Sequence, residues 1–300
     1  MFTSSLHRTI LAAGLLLTAT LAAQTSPSPI LPAAQTPEAQ APSAQNPIDA
    51  PPPAPIQTST AQDTPLNPAL PTLFLVGDST ARNQANLGWG DHLPPLFDTH
   101  RINIANRARA GRSSRTYINE GLWDAVRAAL KPGDYVLIQM GHNDGGTDLS
   151  SPKARGTLKG IGEETQDITL PDRHLETIHT YGWYLRKYIA DTRAKGATPI
   201  LLTLTVRNIW KDGPDGKPHI ERDMGFREFE SQIAASEHVP LIDMATVAAD
   251  QFEALGPQAT AAYFPVDHTH TSAAGADLNA HAVVTALRNA NSPLVAYLKP

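Results

Sequence analysis

Five residues at four points of the chain could together attack a carbonyl group. Ser79 follows the apolar run Leu73-Phe74-Leu75-Val76 in the tetrapeptide Gly77-Asp78-Ser79-Thr80. That pattern reads as a buried strand ending in a tight turn that holds up a hydroxyl. A serine there also serves as a helix N-cap. The two roles are compatible, because backbone N–H groups at a helix start would favour negative charge beside a nucleophile. Asp267 and His270 stand three residues apart in Asp267-His268-Thr269-His270. The spacing can fold the carboxylate onto the imidazole Nδ1–H and leave Nε2 to take a proton from a serine. The same pattern arises from an aspartate helix cap beside a surface histidine, and His268 with His270 could instead form a metal pair. Zinc takes three or four ligands, and no other histidine or acid run here has ligand spacing, so no metal is expected. The Asn143 side-chain amide, the Gly111 N–H and the Ser79 N–H are candidate donors to an oxyanion. Singly, Asn143 also reads as a turn residue and Gly111 as a helix-start glycine. Serine, glycine, asparagine and Asp-x-x-His in this order are hard to obtain by accident.

These residues need a frame that brings them together. Apolar strand-like runs at 73–76, 102–106, 135–139, 199–205 and 241–243 alternate with helix-like stretches near 89–97, 115–130, 175–195, 226–238, 245–255 and 272–289. Lys131-Pro132-Gly133-Asp134 and Lys195-Gly196-Ala197 stop a helix and turn into the next strand. The alternation predicts an α/β fold with a parallel sheet covered by helices on both faces. In such sheets the reactive crevice lies at the carboxyl ends of the strands. The candidate residues fall there: Asp78-Ser79, then the 106–112 loop, then the 140–146 loop, then Arg207, Asn208 and Trp210, and last the 264–271 loop that opens the final helix. Residues 145–170 read as a long loop, a rim or lid beside Asn143. A solvated loop with no role is the competing reading.

Composition sets the outer limits. Three hundred residues carry a net charge of −5, which argues against nucleic acid as the main partner. There is no cysteine, hence no disulfide, thiolate metal site, thiol nucleophile or lipidated cysteine anchor. Residues 1–23 read as a signal peptide: Arg8 precedes a Leu- and Ala-rich run that ends in small residues. The run is too short for a comfortable membrane span. Residues 24–71 hold half of the 26 prolines and read as an extended, disordered linker. The folded domain is then expected over 72–300, in a protein that is secreted or periplasmic and has no stable membrane anchor.

The blocks Gly77-Asp78-Ser79, Gly111, Gly141-His142-Asn143-Asp144 and Asp267-His268-Thr269-His270 resemble the SGNH (GDSL-like) hydrolases. The stretch 131–144, Arg155-Gly156-Thr157-Leu158, Tyr181-Gly182 and 264–271 look like the rhamnogalacturonan acetylesterase branch. The resemblance spans the expected domain and implies a three-layer α/β/α sandwich of flavodoxin-like type with a five-stranded parallel sheet. It implies Ser79 as nucleophile, His270 as base, Asp267 as its orienting acid, and an oxyanion hole of Ser79, Gly111 and Asn143, with no cofactor. The implied substrate is an acetylated polysaccharide, pectic rhamnogalacturonan first, acted on by a monomer. Arg107, Arg109 and Arg112, with Arg115 beside them, form an expected patch for substrate carboxylates; a solvated basic turn is the alternative. Trp210 is the expected sugar-stacking residue, and Trp123 and Trp183 are expected in the core. Competing functions are the same machinery on acetylated xylan or another acyl ester, an acetyltransferase, and a non-catalytic polysaccharide-binding module.

Overall fold

A buried run on the amino-terminal side of the Asp78-Ser79 turn sets the centre of the sheet: Thr72–Gly77 (β1) is buried at all six positions, as a central parallel strand must be. The computed structural model describes residues 65–146, 149–151 and 154–300. The signal peptide expected over 1–23 and residues 24–64 of the linker expected over 24–71 lie outside the described residues. After β1 come β2 (Asn103–Asn106), α1 (Ser114–Asn119), α2 (Leu122–Ala129), β3 (Tyr135–Gln139), β4 (Thr165–Thr169), β5 (Leu175–His179) and α3 (Tyr181–Ala194). They are followed by β6 (Thr198–Leu202), β7 (Arg207–Asp212), β8 (Pro218–Glu221), α4 (Arg227–Glu237), β9 (Leu241–Ile242), α5 (Met244–Thr260) and α6 (Ala273–Asn289).

Five of these strands form one sheet in the order β2-β1-β3-β6-β9, every pair parallel. The chain moves outward from β1 to β2 on one side and through β3, β6 and β9 on the other. This is the flavodoxin-like order, and it opens a crevice at the carboxyl ends of β1 and β3, where the strand order reverses. Side chains alternate between the faces. Leu73, Leu75, Leu137 and Ile200 meet Met244, Phe252, Val283 and Leu287 of α5 and α6. Phe74, Val76, Val136 and Ile138 meet Tyr117, Trp123, Tyr188 and Ile233 of α1 to α4. The result is a three-layer α/β/α sandwich with its five-stranded parallel sheet in the middle.

Several local expectations change. The stretch 89–97 forms two short 3-10 turns, Trp89–His92 and Pro94–Leu96, because Pro94 and Pro95 remove the donors a continuous helix needs. The helix expected over 115–130 breaks at Gly121, whose φ of 73° leaves the helical region. The end of the expected 145–170 loop is β4 (Thr165–Thr169). It pairs antiparallel with β5, a segment that sequence periodicity had placed in a helix. Alternation decides it: Ile168 and Ile178 are buried, and their neighbours on the two strands face outward. The fourth sheet strand ends at Leu202, and a second hairpin, β7–β8, follows it. Residues 65–71, read as the end of the linker, bind to the domain. Leu66 packs on the α1–α4 side of the core, Asn67 N–H donates to Asn103 Oδ1 at 3.0 Å, and Lys131 Nζ donates to the Leu70 carbonyl at 2.8 Å.

Candidate active site

The Ser79 turn is tied down from within. Asp78 is fully buried, and its Oδ1 accepts the Thr80 N–H at 2.8 Å. Thr80 Oγ1 lies 2.9 Å from the same oxygen and 3.1 Å from Gln139 Oε1 at the end of β3. Gln139 also accepts from Trp89 Nε1 (2.8 Å) and donates to the Thr203 carbonyl (2.8 Å). A buried network of this kind costs heavily if any member is lost, so it fixes the turn. No helix starts at Ser79; the chain continues in turns to Trp89. Neither the Ser79 nor the Gly111 N–H is taken by a backbone acceptor among the described residues.

The 265–271 loop carries the histidine to the serine. Asp267 Oδ1 accepts the Thr269 and His270 N–H groups, both at 2.7 Å, and Oδ2 lies 2.7 Å from His270 Nδ1. His270 Nε2 lies 2.9 Å from Ser79 Oγ. Partial desolvation pushes the Asp267 carboxyl up, but the hydrogen bonds from His270 and Thr269 outweigh it and hold the pKa at about 2. Asp267 is therefore ionised at any pH above about 4 and fixes the proton of neutral His270 on Nδ1. His268 is exposed, and its carbonyl accepts the Asn208 N–H at 2.8 Å.

Asn143 and Gly111 arrive from the two neighbouring strand ends. Gly141 makes the first approach possible: its φ is 149°, and a Cβ there would stand 2.8 Å from Leu204 Cδ1. Asn143 Nδ2 donates one hydrogen to the Arg112 carbonyl at 3.0 Å, which leaves the other for a ligand. Next to it, buried Asp144 accepts the Ser114 N–H at 3.1 Å and the Ser114 hydroxyl. Asn143 and Asp144 thus clamp the loop that carries Gly111. Burial raises the Asp144 pKa to about 7, against the pull of the Ser114 hydrogen bonds. Arg155 Nη1 donates to the Gly111 carbonyl at 3.0 Å and fixes that peptide from the other side.

Ser79, Gly111, Asn143 and His270 line one cavity of about 490 Å³, together with Arg155 and Leu87. The expected substrate patch does not line it. Arg107 lies along a separate cavity beside Tyr117 and Leu122. Arg109 has a buried Nε with no hydrogen-bond partner among the described residues, and Arg112 is paired with Glu120 at 2.8 Å. Arg115 is buried and forms a two-pronged pair with Glu176, both contacts at 2.7 Å. For Arg112 and Arg115 the reason is that carboxylates of the fold neutralise them before a substrate can. Trp210 lies in β7, packs on the α5–α6 side of the core, and donates to Asn208 Oδ1 at 2.8 Å. The arginine that does face Ser79, Arg155, comes from the Arg-Gly-Thr-Leu block; neither spacing nor charge density marked it.

The profile of the GDSL-like lipase/acylhydrolase family matches residues 75–278. A rhamnogalacturonan acetylesterase of Emericella nidulans is 36% identical over 216 residues, which cover 72% of this chain and 84% of that protein. A probable rhamnogalacturonan acetylesterase of Bacillus subtilis is 30% identical over 237 residues, with 74% and 94% covered. The crystal structure of the YxiM protein of Bacillus subtilis superposes with a TM-score of 0.58 at 27% identity, over 74% of this chain and 57% of that one. The chain belongs to the GDSL-like lipase/acylhydrolase family. Its enzymatic class is that of a carboxylic ester hydrolase.

Proposed function

We propose that this protein is a serine esterase that removes acetyl groups from a polysaccharide, with rhamnogalacturonan as the leading substrate. One observation carries the mechanism: the line Asp267–His270–Ser79, with steps of 2.7 and 2.9 Å, ends at a cavity into which Gly111 and Asn143 also open. Ser79 Oγ attacks the ester carbonyl carbon while its proton passes to His270 Nε2. The carbonyl oxygen becomes an oxyanion that takes hydrogen bonds from the Ser79 and Gly111 N–H groups and the second hydrogen of Asn143 Nδ2. Collapse breaks the bond to the sugar oxygen, which leaves with the proton from His270. Water then attacks the acetyl–Ser79 ester, gives its proton to His270, and acetate departs as Ser79 recovers its hydrogen. Asp267 stays a carboxylate throughout and stabilises the transient imidazolium.

The substrate reading is supported by the names of the two relatives above, and a location outside the cytoplasm by the signal-peptide pattern of residues 1–23. Among the described residues no helix is long and apolar enough to cross a membrane. The test is acetate release from acetylated rhamnogalacturonan, acetylated xylan and an acetylated neutral glycan, with Ser79→Ala as control. Release from rhamnogalacturonan well above the others supports the reading. Acetyl groups that appear on an added acceptor sugar in place of free acetate mark an acetyltransferase, and a wild-type protein that removes no acetyl groups marks a binding module.

A further inference from the structure

A second cavity, of about 560 Å³, adjoins the one over Ser79, and Asn143 and Arg155 belong to the walls of both. Its lining is electrically one-sided. Arg155 and Arg207 contribute two guanidinium groups, and no carboxylate faces it among the described residues. Arg207 Nη2 donates to the His142 carbonyl at 3.2 Å, while its buried Nε has no hydrogen-bond partner among the described residues. Arg155 donates to the Gly111 carbonyl. Among the described residues neither guanidinium meets an acid, whereas Arg112, Arg115, Arg186, Arg222 and Arg227 each have a carboxylate partner. A guanidinium group that meets no acid of the fold can pair with a carboxylate of a ligand in the cavity. His142 does not add to the positive charge: burial holds its pKa at about 4, so it is neutral under ordinary conditions. Met224 and Phe226 give the same cavity an apolar wall for the C–H face of a sugar ring.

We infer that Arg155 and Arg207 form a carboxylate subsite that holds a uronic acid residue of the substrate next to the ester at Ser79. The inference rests on the reading of Ser79 as the nucleophile of a polysaccharide esterase, and it replaces the arginine patch of the 106–112 loop. It explains how a chain with a net charge of −5 would bind an acidic polymer: the attraction is local, from two guanidinium groups on one cavity wall that meet no carboxylate among the described residues. Planar guanidinium groups match a carboxylate by paired hydrogen bonds, which an ammonium cannot reproduce.

The test is a binding measurement that needs no turnover. Ser79→Ala protein is titrated calorimetrically with an oligogalacturonate and with the neutral galactose oligomer of equal length. The titrations are repeated after adding Arg207→Gln or Arg207→Lys, with melting curves to establish folding. Expected are at least tenfold tighter binding of the acidic oligomer, loss of about 10- to 100-fold of that affinity in Arg207→Gln, and partial recovery in Arg207→Lys. Equal affinity for the two oligomers, undetectable binding of the acidic one, or an unchanged acidic preference in a folded Arg207→Gln protein overturns the subsite. Wild-type hydrolysis of an aryl acetate reports on the esterase reading separately, so either idea can fail alone.

Discussion

Replacing Asp267 by Asn separates orientation of the histidine from everything else at the site. The asparagine Oδ1 can still accept the Thr269 and His270 N–H groups, now at 2.7 Å from the carboxylate, so the turn should keep its shape. Its NH₂ would replace Oδ2, which lies 2.7 Å from His270 Nδ1. Two donors cannot face each other, so the imidazole should adopt the tautomer with its proton on Nε2. That nitrogen is the one 2.9 Å from Ser79 Oγ, and it could then no longer accept the serine proton. A wrong tautomer in such a relay lowers kcat by about 10⁴, equivalent to about 5 kcal/mol of barrier. The stability effect should be far smaller. A folded-state pKa of about 2, against 3.8 for an unperturbed aspartate, means that the carboxylate stabilises the fold above pH 4 and that this contribution disappears as pH falls through 2. The side chain is 39% exposed, so solvent screening should reduce the effect to about 1 kcal/mol or less. The assay is kcat and KM on an aryl acetate, with a melting curve for each protein. A folded Asp267→Asn enzyme that retains more than a tenth of wild-type kcat would refute the reasoning.

Other perturbations address the remaining parts. Asn143→Ala should lower kcat by about 10² to 10³ by removing an oxyanion donor; a change confined to KM would make Asn143 a ground-state binding residue. Buried Glu230, behind the Met140 end of β3, has its pKa raised by burial to about 8 from 4.5. The unfolded chain gives up that proton first, so stability should decline between pH 4.5 and 8. In Glu230→Gln the melting temperature should fall less across that range, and an equal decline in both proteins would contradict the burial argument. We also propose that the folded domain begins at Pro65. Deleting residues 24–64 should leave melting and esterase activity unchanged, whereas deleting through Pro71 should lower the melting temperature, because Leu66, Asn67 and Leu70 bind the domain. No difference between the two deletions would remove that boundary.

The sequence exposed the frame because the central strands are buried on both faces. Leu73 to Val76 and Val136 to Ile138 cannot be anything but apolar, and the glycine and acid turns that end them are equally constrained. That Ser79, Gly111, Asn143 and the Asp267-His270 pair come together was legible for a related reason: strand-end turns keep short, fixed spacings such as that between Asp267 and His270. The hairpins were not legible. In β5 the period of two is held by Ile178 and Glu176, and the tyrosines of α3 follow at once, so one long helix fitted as well. The arginines failed differently. Charge density in the 106–112 loop drew the substrate reading there, but whether a cation is free depends on distant partners. Glu176 lies 61 residues from Arg115, and no local pattern shows that Arg115 meets an acid while Arg155, among the described residues, does not.

The most direct test of the account combines covalent labelling with acetate release. Wild-type protein is treated with a serine-directed phosphonate, digested and mapped by mass spectrometry, and Ser79→Ala is assayed on acetylated rhamnogalacturonan. The account predicts one adduct, on Ser79, and acetate release by the variant at least a thousandfold below wild type, given a loss of about 10⁶ when the nucleophile of such a relay is removed. Labelling at another residue, or Ser79→Ala activity within tenfold of wild type, would contradict it.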